Sequence, residues 1–375
     1  MRVFLIAGEA SGDKLGAALM AGLKSLCDVT FDGVGGPFMK AEGLTSRFPM
    51  DELSVMGLAE ILPKYRNLKA RVNQMAEAVI AERSDVLITI DSPDFGLRVA
   101  KLVRAKSDVR CVHYVAPTVW AWRPKRAAKM AKFIDQVLAL FPFEPPYMEA
   151  EGMRCDFVGH PVVTDVLASA DEAAAWDGDG PLVLVLPGSR RGEVSRLMER
   201  FGEVAELISL AHPNARFVIP TTANVTALVR EEVKAWSVDV LVLDADRRAE
   251  KRGLFAAADV ALAASGTVSL ELAANATPMV IAYDMAWLSR VIISRMLLVD
   301  TVTLVNLVSD SRVVPEFIGK DCVPAPIANA VLDVLDDPSR QLAAMTLTMD
   351  RLGRGGEAPG LRAAKAVLDG VAGAR

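Results

Sequence analysis

The chain is poor in the residues that build metal sites. It has three histidines, and its four cysteines, Cys27, Cys111, Cys155 and Cys322, are scattered with no Cys-x-x-Cys pair. This disfavours a zinc framework and a disulfide scaffold, and the thiols read as reduced and mostly buried. Positive charge is not in excess: the net charge is −5, so the molecule as a whole is no nucleic-acid binder and any basic function is local. Long apolar runs are missing too. A bilayer span needs about 20 apolar residues; the nearest candidate, "WLSRVIISRMLLVD", is broken by Arg290 and Arg295. The opening "MRVFLIAGEASGD" carries an apolar run too short for a signal peptide, with no small-residue cleavage site in the usual place. A cytoplasmic protein able to touch a membrane surface is expected. Its glycine turn lacks both the Gly-Lys-Ser/Thr of a Walker loop and the G-x-G-x-x-G of a dinucleotide dehydrogenase.

What is present is a regular alternation. The 375 residues, 52% hydrophobic and 24% charged, suffice for two domains with large cores. Strand-like runs "RVFLIAG", "VLITI", "VRCVHYV" and "QVLAL" are each followed by helical spacing. The stretch "ASADEAAAWDGDGP" interrupts the pattern, which restarts with "PLVLVLPG", "ARFVIPTT", "VDVLVLDA", "DVALAASG" and "TPMVIAY". The expected fold class is α/β, with two Rossmann-like doubly wound domains and a cleft between them. The expected domains are 1–168, 169–345 and a helical segment, 346–375, returning to the first. Ligands of such sheets bind at the carboxyl ends of strands.

One strand end stands out. In "AASGTVSLELA", Ala263 to Ala273, an apolar strand runs into Ser265, Gly266 and Thr267 and resumes as a helix. Helix N-termini expose unpaired N–H groups and attract anions. Taken alone, the junction is first of all an ordinary βα turn with Ser265 or Thr267 as N-cap. "VLPGSRRGEV" ends a second buried strand on Gly188 and Ser189, then Arg190 and Arg191. An arginine there can clamp phosphate oxygens, or form a solvated cap paired with Glu193. Together the two turns suit a diphosphate. Glu271, one helical turn past Thr267, is placed for ribose hydroxyls. Asp-x-Asp occurs at Asp177–Asp179 and Asp244–Asp246, but as a linker and a charged loop; no metal is expected.

In the first half, "TIDSPDFG" puts Asp91 at a strand end, as a general base or an Asx turn. His113 and His160 are further candidates, though a lone histidine is commonly structural. In "PTVWAWRPKRAAKMAK", Trp120 and Trp122 would share a face of a strand, ahead of Arg123, Lys125, Arg126, Lys129 and Lys132. "MGLAEILPKYRNLKAR" offers Met56, Leu58, Ile61 and Leu62, then Lys64, Arg66, Lys69 and Arg71. These patches suit an anionic amphiphile or membrane surface, or else solvated helix faces.

With these motifs the chain resembles the lipid-A-disaccharide synthase family, bacterial glycosyltransferases of the two-Rossmann GT-B type. The resemblance rests on "AGEASGDKLGA", "GVGGPFMKAEG", "MGLAEIL", "IDSPDF", "HYVAPTVWAWRPKR", "LFPFEPPYME", "FVGHP", "LPGSRRGEV", "ASGTVSLELA", "TPMVIAY" and "NLVSDSRVVPEFI", in the family's order over roughly residues 5 to 318. It implies transfer from UDP-2,3-diacylglucosamine to 2,3-diacylglucosamine 1-phosphate, giving a β-1′,6-linked disaccharide 1-phosphate and UDP. By the same resemblance Asp91 is the base, Arg190 the diphosphate clamp, and Ser265, Gly266, Thr267 and Glu271 the UDP site. Asn306 matches a nucleotide-site asparagine, and Glu9 and Ser11 match polar residues of the first glycine turn. No cofactor is implied; an anionic inner-membrane surface and a homodimer are. Ala116 and Thr118 replace two serines of the family pattern, and Asp284 a basic residue. A UDP-N-acetylglucosamine 2-epimerase-like isomerase and a non-catalytic UDP-sugar sensor are alternatives on the same fold.

Overall fold

The computed structural model describes residues 1–53, 58–285 and 296–373, with backbone alone for 58–65. It divides into two units, Met1–Pro161 with Gly355–Arg375, and Val162–Arg354.

The first unit holds a parallel sheet of β1 (Arg2–Ala7), β2 (Thr30–Val34), β3 (Thr45–Ser46), β4 (Val86–Ile90), β5 (Arg110–Tyr114), β6 (Gln136–Ala139) and β7 (Arg154–Phe157), in the order β3-β2-β1-β4-β5-β6-β7. The strands are parallel because each pair is joined by a crossover, and crossovers cover both faces of a sheet. Hence all five residues of β4, "VLITI", are buried. Strand order reverses between β1 and β4, where a doubly wound sheet opens a crevice at its carboxyl edge.

The C-terminal helix Pro359–Ala372 is built into this unit. It packs on helix Ala10–Leu26 so closely that a Cβ on Gly22 would stand 2.8 Å from the Gly360 carbonyl. Gln136 Nε2 donates to the Ala366 carbonyl at 2.8 Å, and Arg362 donates to that of Phe157 at 2.7 Å. The returning segment starts at Gly355, not at 346. The reason is local: helix Ser339–Arg351 is tied to the second unit, where Gln341 exchanges two hydrogen bonds with the backbone of Met279 and Arg351 caps the Val308 carbonyl. The first unit likewise ends at Pro161 rather than 168.

The second unit repeats the plan. Its parallel sheet contains β8 (Leu182–Leu186), β9 (Arg216–Pro220), β10 (Val240–Leu243), β11 (Val260–Ala263), β12 (Met279–Tyr283) and β13 (Glu316–Ile318), in the order β10-β9-β8-β11-β12-β13. Val183, Val185, Val260 and Leu262 meet Leu197, Phe201 and Ile208 of helix Arg191–Ala211 in one buried cluster. The order reverses between β8 and β11. Residues 286–295, including most of the apolar stretch cut by Arg290 and Arg295, lie outside the described residues; among the described residues no helix is long and apolar enough to cross a membrane.

Candidate functional site

In the second unit the two turns singled out in the sequence lie side by side. β8 pairs with β11, Leu186 opposite Ala263, and the Ala264 N–H donates to the Leu186 carbonyl at 2.8 Å. The turns therefore leave the sheet together at its switch point. With the end of β9 and helix Arg248–Ala257 they enclose a cavity of about 420 Å³. Arg190, Ser265, Gly266, Thr267 and Glu271 all line it.

Arg190 is the residue before helix Arg191–Ala211, and two-thirds of its side chain is exposed. Its Nη1 stands 3.0 Å from Glu193 Oε1, so the guanidinium forms the cap-type ion pair. Glu193 also takes the Arg190 N–H (3.3 Å) and the Tyr283 hydroxyl (3.4 Å). Burial, then the charge of Glu193, raises the Tyr283 hydroxyl above its ordinary value. Gly188, at φ +107°, is what admits this carboxylate: a Cβ there would lie 2.7 Å from Glu193 Oε2. Asn224 Nδ2 pins the loop by donating to the Ser189 carbonyl at 2.7 Å. Arg191 is exposed and lies outside the cavity lining.

The N-cap alternative for Ser265 and Thr267 does not hold. Thr267 precedes the two-turn helix Val268–Ala274 but makes no side-chain cap bond; Ser269 Oγ instead donates to the Gly266 carbonyl at 2.9 Å. Glu271 lies 3.7 Å from Lys251 Nζ, both side chains being 44% exposed. Lys251, stacked 5.0 Å from the Phe255 ring centre, also lines the cavity. The expectation of a charged loop at Asp244–Asp246 leaves this helix, which follows directly, unread. The usable signal was the i, i+4 spacing of Lys251 and Phe255, which gives a helix one face toward the strand ends.

Asn306 is not brought to the cavity. It is buried in helix Leu304–Ser309, where its amide donates to the Val314 carbonyl (2.9 Å) and Thr301 Oγ1 (3.3 Å) and accepts from the Val314 N–H (3.0 Å). Asp284 is buried against Arg200 at 3.2 Å. Asp244 is held by Arg230 at 2.8 Å.

In the first unit Asp91 follows β4 directly. Asp91 and Ser92 both have positive φ, +50° and +40°, a conformation costing about 1–3 kcal/mol per residue that concentrates at functional sites. The Asp91 N–H donates to the Tyr114 carbonyl at 2.9 Å. Its half-buried carboxylate makes no hydrogen bond or ion pair with the described residues. Neither histidine competes as a base. His113 is enclosed, with Nδ1 2.7 Å from Thr89 Oγ1, and burial lowers both His113 and His160 to about 4.

Glu9 lies at the end of β1 and lines a cavity of about 320 Å³ with Ser92 and Asp94; Ser11 is exposed and lies outside that lining. The residue that sequence reasoning missed in this turn is Asp13. It is buried, and its carboxylate accepts the N–H groups of Gly36, Phe38 and Met39 at 2.8–3.0 Å. Two glycine-rich motifs are thereby locked together.

The tryptophans correct an expectation. β5 ends at Tyr114, Val115 turns away at φ +82°, and Trp120 and Trp122 share no strand face. Trp120 is buried with Nε1 3.4 Å from Glu144; Trp122 is exposed, donates to Thr118 Oγ1 at 2.8 Å and stacks under Arg123 at 4.2 Å. Arg71 is also not free for lipid: it pairs with Glu52 through two bonds of 3.0 Å and lies 4.4 Å over the Phe48 ring. Met56 and the side chains of Leu58, Ile61, Leu62 and Lys64 lie outside the described residues.

The family model for lipid-A-disaccharide synthetase matches residues 3–365. A lipid-A-disaccharide synthase of Ruegeria pomeroyi is 60% identical over 385 aligned positions, covering 100% of this chain and 96% of that protein; one of Rhodospirillum centenum is 46% identical, covering 98% and 94%. The chain belongs to the lipid-A-disaccharide synthase family. It is accordingly an enzyme, a glycosyltransferase of lipid A biosynthesis. Among solved structures, a UDP co-structure of Staphylococcus aureus MnaA aligns at TM-score 0.64 and 13% identity, covering 98% of this chain and 94% of that one. The calicheamicin glycosyltransferase CalG4 aligns at TM-score 0.62 and 15% identity, covering 99% and 98%. These likenesses show the GT-B fold.

Proposed function

We propose that the enzyme transfers the diacylglucosaminyl group of UDP-2,3-diacylglucosamine to the 6-hydroxyl of 2,3-diacylglucosamine 1-phosphate, with inversion, releasing UDP. The observation that carries this reading is the cavity at the β8/β11 switch point, where Arg190, Lys251, Ser265, Thr267 and Glu271 converge. Helix Arg191–Ala211 starts there, and its 21 residues give it a full macrodipole at the diphosphate. The Arg190 end of its pair with Glu193 is two-thirds exposed, and when the guanidinium turns to a diphosphate the carboxylate keeps the Arg190 N–H and the Tyr283 hydroxyl as donors. Glu271 then takes ribose hydroxyls.

Asp91 serves as the general base. Its uncommitted carboxylate accepts the proton of the acceptor 6-hydroxyl as that oxygen attacks the anomeric carbon opposite the departing UDP. Arg190 and Lys251 stabilise the charge developing on the leaving diphosphate. Asn306, with its amide committed internally, supports the site only through the 301–314 loop. We further propose that the start of helix Leu58–Ala81 rests on an anionic membrane through Lys64 and Arg66. Lys64→Ser with Arg66→Ser should weaken sedimentation with anionic phospholipid vesicles; undiminished, salt-sensitive binding overturns this contact.

The deciding experiment is a product assay with both acylated substrates, read by mass. A tetra-acylated disaccharide phosphate and one UDP per product are expected. UDP-sugar returned unchanged, or epimerised without acceptor, overturns the reading.

A further inference from the structure

The cavity of the first unit has a chemistry that the transfer step alone does not use. One side is apolar, formed by Leu53, Leu68, Val72 and Phe95; the rest carries Lys69 and Arg98 together with Glu9, Ser92 and Asp94. Its wall is preformed. Arg71 of helix Leu58–Ala81 grips Glu52, beside Leu53, and covers Phe48, whose ring meets that of Phe95 edge-on at 6.4 Å.

Two exposed cations line this cavity. Arg47, Arg71, Arg104 and Arg154 of the same unit each pair with a carboxylate. Lys69 and Arg98 form no ion pair among the described residues, although Asp94 stands four residues before Arg98 on helix Pro93–Arg104. That spacing ordinarily brings an acid and a base together. Asp94, in the first turn, is instead stabilised by the positive end of its helix. Two unpaired cations beside an apolar wall match an anion attached to an aliphatic chain. The cavity's 320 Å³ is at the lower end for small-molecule sites, about 300–1,000 Å³. That is room for a head group and too little for long acyl chains.

We propose that this cavity seats the head group of the acceptor. The phosphate lies between Lys69 and Arg98, sugar hydroxyls meet Ser92 and Asp94, and the first methylenes lie on Leu53, Leu68, Val72 and Phe95. Ser92 follows Asp91 in the chain, so a sugar held there is presented to the base. This inference rests on the acceptor being an acylated sugar phosphate, as proposed above.

The test uses the full chain and two acceptors, acylated glucosamine 1-phosphate and its dephosphorylated counterpart, with Lys69→Gln, Arg98→Gln, the double variant and the conservative Lys69→Arg and Arg98→Lys. Each glutamine variant should raise the KM for the phosphorylated acceptor about tenfold and leave the donor KM unchanged. With the dephosphorylated acceptor the wild type and the variants should converge, and the conservative variants should recover most of the loss. Equal defects on both acceptors, or none, overturn the proposal. Loss of anionic-vesicle binding with an unchanged acceptor KM assigns the cations to a phospholipid surface and also overturns it. If the wild type transfers to no acceptor, the transfer reading has failed, and calorimetry with a short-chain acylated glucosamine 1-phosphate decides separately. Binding that weakens tenfold in Arg98→Gln upholds the phosphate seat; binding that does not overturns it.

Discussion

Arg190 touches Glu193 at 3.0 Å with most of its side chain in water, whereas Arg191 touches nothing in the cavity. A charge-assisted bond to a desolvated diphosphate contributes about 1.5–3 kcal/mol. Arg190→Ala should therefore lower kcat/KM for the UDP-sugar about tenfold to a hundredfold, and Arg191→Ala less than threefold. Steady-state kinetics with varied donor decides; equal, mild defects would mean that both arginines are solvated caps. Four residues of this cavity, Arg190, Ser265, Gly266 and Thr267, were legible because each belongs to a turn that ends a buried strand, and Glu271 because it lies one helical turn beyond Thr267. Lys251 was not, because it reaches the cavity from a helix twenty residues earlier, and no local pattern announces that return. Asn306 shows the converse. Its position in a motif was visible, but not that Thr301 and Val314 would consume its amide.

At the level of elements, the apolar strands were readable, the edge strand β10 among them, and β2, β3, β7 and β13 were not. β1, β4, β8 and β12 are continuous apolar runs because helices cover both their faces. β3 has two residues, β13 has three, and β2 and β7 carry aspartates, so none offers periodicity to read. The loop after β5 was misread as strand because its tryptophans alternate. Its anchor is Glu144, buried after β6, which accepts the Leu140 and Phe141 N–H groups and that of the Trp120 ring. Burial pushes this carboxyl up to about 7, against the lowering effect of those three bonds. A folded pKa above the unfolded one favours the protonated form in the folded state. The contribution is complete below pH 4.5 and is lost as pH rises through about 7. At 1.36 kcal/mol per unit, it amounts to about 3 kcal/mol. Glu144→Gln should remove this slope, flattening stability between pH 4.5 and 8 at some fixed cost in the anchor. Chemical denaturation of both proteins across that range checks it; an unchanged slope would place the titration elsewhere.

At the scale of the whole molecule, the βα alternation foretold two parallel sheets, and both have the order reversal that opens a crevice at the carboxyl edge. The unit boundaries were less legible, because Gly355–Arg375 joins the first unit through packing on Ala10–Leu26, a contact between opposite ends of the chain. The division also separates the candidate sites. Every residue lining the β8/β11 cavity belongs to the second unit, while Asp91, with its strained turn and a carboxylate that pairs with none of the described residues, belongs to the first. If the donor is held by one and the proton taken by the other, the two functions should be separable by mutation. Asp91→Ala should lower turnover by about 10²–10⁴, the usual range for removing a general base, and leave the Kd for UDP within twofold of wild type. Arg190→Ala should weaken UDP binding while Asp91 stays intact. Calorimetric titration of UDP into both variants, beside turnover on the same preparations, measures each function independently. An Asp91→Ala enzyme that loses UDP affinity together with turnover would show Asp91 supporting the nucleotide site, and the acceptor hydroxyl would then need another base.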